Sequence, residues 1–305
     1  MKTELLRNLI FAFDRYVHKI FSRTMVAPAW TAAILFLTGI TPSITAAEEP
    51  QTPEQQRQTL IRVLQSRVPG STPSDWASGV NSAAAVIQAI PLTADNATNS
   101  ADILAIGKKT WERKFKDGKT FANCFPNAGK RVAAAYPQFD PKSKQVVTAE
   151  IALNQCLTLH KEPLLGLTDN DTMGSLSAYF KSLSDGQKLA IRVTGTQARE
   201  KFDAGRMLFQ RRLGQQGFAC ASCHVQQAGS ILGKQGLSAV VGQAVTWPRL
   251  QPGGRVLGIQ MQFQRCMERS SAEPIAVGDP EMNELEYFHA FMSGGLGIRG
   301  LAVQR

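Results

Sequence analysis

Cys220-Ala-Ser-Cys-His224 separates two thiols by two residues and sets an imidazole directly after the second. Thiols at that separation can add to the two vinyl groups of a haem, and the adjacent histidine then meets the iron. Zinc would need two more ligands at comparable spacing, and none stands nearby. A thioredoxin-like dithiol would need a strand before it and a long helix after it, whereas Val225-Gln-Gln-Ala-Gly-Ser230 soon reaches glycine. The segment therefore reads as the attachment site of one covalent haem c, held by Cys220 and Cys223, with His224 as the proximal ligand. No second copy of the motif occurs in the chain.

Three of the five cysteines remain to be placed. Cys124 opens Cys-Phe-Pro-Asn-Ala-Gly129, and Cys156 lies in Ala152-Leu-Asn-Gln-Cys-Leu157. A bridge between them would close a loop of about 32 residues and contribute about 2–4 kcal/mol by restricting the unfolded chain; the rival arrangement is two free, buried thiols. Cys266, in Gly258-Ile-Gln-Met-Gln-Phe-Gln-Arg-Cys-Met-Glu-Arg269, follows His224 by about 42 residues, a plausible reach to the far face of a haem. There a thiolate would favour ferric iron and lower the potential. An inert core cysteine, an intermolecular disulfide, and ligation by Met261, Met267, Met282 or Met292 compete with it, and His289 reads as a packing residue on the last helix. Spacing does not choose among these.

The elements that must hold these groups follow a leader. Arg15, Lys19 and Arg23 precede the apolar run Met25–Ile40, and small residues at Thr45 and Ala47 permit cleavage before Glu48. Residues 1–47 are thus expected to be a signal peptide, with a retained membrane anchor as the alternative, and the mature protein to be periplasmic. Removing them lowers the formal charge from +10 to about +7, a basic surface suited to acidic proteins and small anions. No dense Arg/Lys stripe interleaved with aromatics argues for nucleic acid. With 43% hydrophobic and 19% charged residues, the chain has the composition of a folded, mainly α protein.

Helices are expected over Pro53–Val68 and Trp76–Ile90, with a polar linker at Thr93–Ser100. From Ala101 the pattern repeats weakly: a helix containing Gly107 precedes Cys124, and a helix containing Gly205 precedes Cys220. Each copy closes on an aromatic-rich helix, Leu176–Gly186 or Leu285–Gly295, and a glycine permits the close helix crossing of a small cytochrome c. The expected division is a haemless cytochrome-c-like domain with preceding helices, 48–190, and a haem domain, 191–305. Strands are expected only as short pieces such as Gln145–Val147.

Lys119-Thr-Phe-Ala-Asn-Cys-Phe-Pro-Asn-Ala-Gly129, Tyr136-Pro-Gln-Phe-Asp140, Phe218-Ala-Cys-Ala-Ser-Cys-His-Val225, Gln264-Arg-Cys266 and Ala272-Glu-Pro274 together resemble the SoxA family, the A subunit of L-cysteine S-thiosulfotransferase. The resemblance runs from about residue 55 to Arg305 and matches the single-haem class. It implies two cytochrome-c-like domains with a disulfide in the haemless one, His224 and Cys266 as axial ligands, and Cys266 carried as a persulfide. The implied enzyme, a sulfur transferase and oxidoreductase, joins thiosulfate to a cysteine of the SoxYZ carrier and passes electrons to SoxX, a small partner cytochrome. Arg249, Arg255 and Arg265 are the candidates to bind the thiosulfate dianion. Where the family places an arginine four residues before the ligand cysteine, this chain has Gln262. The competing functions are a c-type electron carrier without sulfur transfer and a haem-stabilised binding subunit.

Overall fold

A computed structural model describes residues 51–77, 94–232, 235–251 and 254–303. The expected leader 1–47 lies outside them, as does most of the helix expected over Trp76–Ile90. Among the described residues the chain is mainly helical. Helix α1 (Pro53–Arg67) starts where its sequence says it should: Thr52 and Gln55 form a reciprocal cap and Pro53 takes the first turn. A short α2 (Pro73–Ala77) follows. Helix α3 (Ala94–Glu112) corrects the linker expected at Thr93–Ser100, because its backbone is helical from Ala94 onward. That stretch contains neither proline nor glycine, so its polar residues extend the helix one turn after another.

Helices α4 (Ala149–Leu159) and α5 (Thr172–Ser182) complete the first half. Helices α6 (Thr196–Gln210), α7 (Ile259–Arg269) and α8 (Pro280–Met292) build the second. Strands are brief. Gln138–Asp140 pairs antiparallel with Gln145–Val147, placing Phe139 opposite Val146. Arg249–Leu250 pairs antiparallel with Val256–Leu257 and parallel with Ala302–Val303.

The two halves use the same device at their helix crossings, α3 on α5 and α6 on α8. A Cβ on Gly107 would lie 2.1 Å from the Ser175 carbonyl oxygen, and one on Gly205 would lie 1.9 Å from that of Glu284. Each glycine therefore lets one helix rest on the backbone of the other.

Their centres differ. In the first half Trp111 stacks on Phe121, Phe125 and Phe180 at ring separations of 5.8, 5.6 and 5.4 Å. Cys124 and Cys156 are joined by a disulfide beside this cluster, with Cα atoms 5.8 Å apart. The His160 ring lies close to both sulfurs, but the bridge consumes their thiolates, and His160 Nδ1 meets Asp117 Oδ2 at 2.6 Å. Rings and a bridge thus fill this core from the chain's own atoms. Replacing both cysteines by alanine should lower unfolding stability by about 2–4 kcal/mol. Chemical denaturation of the oxidised protein measures this, and unchanged stability would mean that the bridge leaves the unfolded chain unrestricted.

Backbone bonds tie the segment after α5 to the segment after α8: Leu189 N–H donates to Leu296 O at 2.9 Å, and Gly295 N–H to Leu189 O at 2.8 Å. Beneath them lies a cavity lined in part by Glu150, Lys181, Trp247 and Glu286. Lys181 Nζ donates to Ala244 O at 3.0 Å, Ser177 Oγ to Glu150 at 2.6 Å, and Gln260 Nε2 to Glu286 at 2.8 Å. Burial and the neighbouring Glu150 carboxylate raise the Glu286 pKa well above the ordinary carboxylate range, although Gln260 and Lys181 oppose them.

Folding therefore favours the protonated form of Glu286. This contribution is complete below the ordinary carboxylate value and is lost as pH rises through the raised one. Denaturation midpoints of the native protein should accordingly fall from acid toward alkaline pH more steeply than those of Glu286→Gln. Parallel profiles would show that Glu286 ionises as freely in the folded as in the unfolded chain.

Candidate haem site

The Cys220–His224 segment lies beyond α6, after a bend closed by Leu213 N–H donating to Phe218 O at 3.0 Å. Ser222, between the two cysteines, accepts from Ala219 N–H at 3.1 Å, and the chain then winds through a wide helical turn over Ser222–Gln226. Cys220 and Cys223 both carry free, half-buried thiols. Burial, together with the nearby Cys266 and Cys223 thiols, pushes the Cys220 pKa up to about 12, and burial raises that of Cys223.

His224 Nδ1 lies 2.8 Å from Ser238 O, a backbone acceptor that fixes the proton on Nδ1 and leaves the Nε2 lone pair uncommitted. Gln243 packs beside it, its Nε2 2.9 Å from the same Nδ1 and donating to Ser238 Oγ at 2.6 Å, so the carbonyl and the amide compete for that nitrogen. Burial lowers the His224 pKa, keeping the imidazole neutral as a metal ligand must be.

Cys266 stands on α7, whose Ile259, Phe263 and Met267 are buried in the core. Its half-buried sulfur accepts from Gln262 Nε2 at 3.5 Å. Burial raises its pKa, while the Gln262 amide and the Arg269 charge oppose the rise and the Cys223 thiol adds to it. The three sulfurs thus share one neighbourhood. Met267, Met282 and Met292 are buried among core side chains, and Met261 packs on that core.

His289, on α8, is 2% exposed, and neither of its ring nitrogens has a hydrogen-bond partner. Its ring lies 4.7 Å from that of Phe263 and 5.3 Å from that of Phe209. Burial and the nearby His224 lower its pKa to about 3. Two free thiols, an imidazole with one uncommitted nitrogen and a buried orphan imidazole, all lined by apolar side chains, form a donor set that suits a thioether-linked haem.

The three candidate arginines occupy different settings. Arg249 holds its guanidinium over Trp247, 4.6 Å from the ring centre, and donates to Thr246 Oγ1 at 3.1 Å; burial lowers its pKa to about 10. Arg265 Nη1 donates to Gln251 Oε1 at 3.2 Å, and Arg255 is exposed. The cation whose field reaches the Cys266 sulfur is Arg269, which the sequence reading passed over. Its place three residues beyond Cys266 on a helix was the available signal.

The family described as SoxA/TsdA, cytochrome c domain, matches residues 106–189 and 204–298. Over 200 residues the chain is 32% identical to L-cysteine S-thiosulfotransferase subunit SoxA of Chlorobaculum tepidum, covering 65% of this chain and 69% of that one. It is 28% identical over 287 residues to the subunit of the same name from Allochromatium vinosum, covering 92% of this chain and all (100%) of that one. Its fold is similar to that in the crystal structure of SoxXA from P. pantotrophus, with a TM-score of 0.62 and 23% identity over 68% of this chain and 79% of that chain.

Proposed function

Because this chain belongs to the SoxA family of cytochromes c, we propose that it works as the haem-bearing A subunit of an L-cysteine S-thiosulfotransferase. The observation that carries the site assignment is that the Cys266 thiol lies within electrostatic reach of the Cys220 and Cys223 thiols, whose motif ends in His224. The single Cys-x-x-Cys-His motif and the bridged, ring-filled first half support one haem c, attached to Cys220 and Cys223. His224 and Cys266 are the residues proposed to hold its iron, and the proposed division of the mature chain is 48–190 and 191–305. The haem accepts electrons when bound. The chain's own residues position the sulfur chemistry: Ser238 orients the imidazole, and Cys266 presents an anionic or persulfidic sulfur.

The overall reaction joins the outer sulfur of thiosulfate to a thiol of a SoxYZ-like carrier. A sulfur–sulfur bond forms, the carrier thiol loses its proton and two electrons leave for a SoxX-like partner cytochrome. Arg269 is added to Arg249, Arg255 and Arg265 as a candidate to hold the sulfonate by charge-assisted bonds. The leader-like residues 1–47 support export to the periplasm, and no helix of the described residues is long and apolar enough to cross a membrane.

The test is to mix the holoprotein with partner cytochrome, carrier and thiosulfate. Carrier mass should rise by a thiosulfate adduct as the cytochrome becomes reduced. Cytochrome reduction with an unmodified carrier would establish the electron-carrier reading instead.

A further inference from the structure

We infer that His289 is a reserve iron ligand, a nitrogen donor that takes the axial position when the Cys266 sulfur leaves it. The inference rests on the proposed haem site and on Cys266 as its resident ligand. It starts from a cost: an imidazole buried with both nitrogens unpaired loses its hydrogen bonds to water and regains none within the chain. A leucine at this position of α8 would pack without that loss. A retained orphan donor in the core calls for a partner that the polypeptide does not supply.

Its location narrows what the partner is. The ring packs on Phe263, which precedes Cys266 by one helical turn on α7, and His289 also lies within electrostatic reach of His224. It therefore lies against the helix that carries Cys266 and within the field of His224. Phe209, from α6, closes another side of the ring. No carboxylate is paired with either nitrogen.

Passing sulfur to a carrier thiol requires the Cys266 sulfur to turn from iron toward the carrier. In that exchange Cys266 would keep the electron pair on its sulfur as it left the iron, and His289 would offer an imidazole nitrogen lone pair in its place. No electron or proton need move. The exchange would keep water and small ligands off the metal until the sulfur returns.

The experiment compares ferric spin states, by electron paramagnetic resonance at low temperature, in wild-type holoprotein, Cys266→Ala, His289→Phe and the double variant. Wild type and His289→Phe should give a low-spin thiolate signal, Cys266→Ala a low-spin signal with two nitrogen ligands, and the double variant a high-spin signal. A high-spin Cys266→Ala protein would overturn the inference while leaving sulfur ligation in place. A two-nitrogen signal already present in wild type and lost in His289→Phe would make His289 the resident ligand, sinking the reserve role and the sulfur-ligand reading together.

Should Cys266→Ala fail to take up haem, ferrous wild type and ferrous His289→Phe serve instead. Carbon monoxide should bind about tenfold or more faster to the variant in the ferrous fraction whose spectrum shows the Cys266 sulfur released, because the internal nitrogen no longer competes for the iron there. Equal rates would overturn the inference.

Discussion

Cys266→Ser holoprotein should transfer thiosulfate to the carrier roughly 10⁴-fold or more slowly than wild type, while still carrying one covalent haem. The size of the loss follows from the proposed role. A serine hydroxyl is a poor nucleophile at neutral pH and cannot accept a sulfane sulfur as a persulfide. The side chain is otherwise nearly isosteric, and Cys266 is only half-buried on a helix whose packing face is Ile259, Phe263 and Met267. The fold and the Cys220/Cys223 attachment should therefore survive, as intact mass will show. Turnover within tenfold of wild type, with haem present, would identify the chain as a binding subunit whose chemistry resides in a partner.

The second large effect concerns Gly205. Gly205→Ala should destabilise the protein by about 3 kcal/mol or more, because the new methyl meets a main-chain oxygen, which has no rotamer by which to escape. The contact would be 1.9 Å from Glu284 O, so α6 and α8 must separate and take Phe202, Phe209, Leu285 and Phe288 with them. Gly258→Ala supplies the comparison. Its Cβ would meet nothing within 4 Å, and its backbone conformation suits any residue, so its cost should stay within about 0.5 kcal/mol. Equal thermal unfolding of the two variants would show that α6 and α8 move apart at little cost.

The crossing glycines illustrate what could be read without coordinates. Gly107 and Gly205 stood at matching places in a weak repeat, and that repeat reports local helix chemistry, which a linear sequence carries. The thiol–thiol–imidazole motif was legible for the same reason, since its spacing is itself the geometry that attachment needs. The Cys124–Cys156 bridge was one of two arrangements the residues allowed, and the resemblance to the SoxA family was what implied it.

What escaped was set by contacts between distant segments. His289 read as a packing residue because one aromatic on a buried helix face looks like another. Only the absence of a partner around it distinguishes it, and absence leaves no mark in a sequence. Lys181, Glu150 and Glu286 come from three separate helices, so their meeting in one cavity depends on how the halves sit together. The expected linker at Thr93–Ser100 proved helical because polar residues are compatible with either state, and here nothing broke the helix.

The sulfur-bridged, tryptophan-centred half has a consequence for biogenesis. Its own aromatic and disulfide core is made of the chain's atoms, so on the proposed single-haem reading that core could close once its two thiols are oxidised, without porphyrin. The second half, which on the same reading takes its haem at Cys220 and Cys223, would then mature against that core. Assembly would proceed in a fixed order, and a shortage of cofactor would leave a half-finished but anchored precursor rather than a wholly unfolded chain.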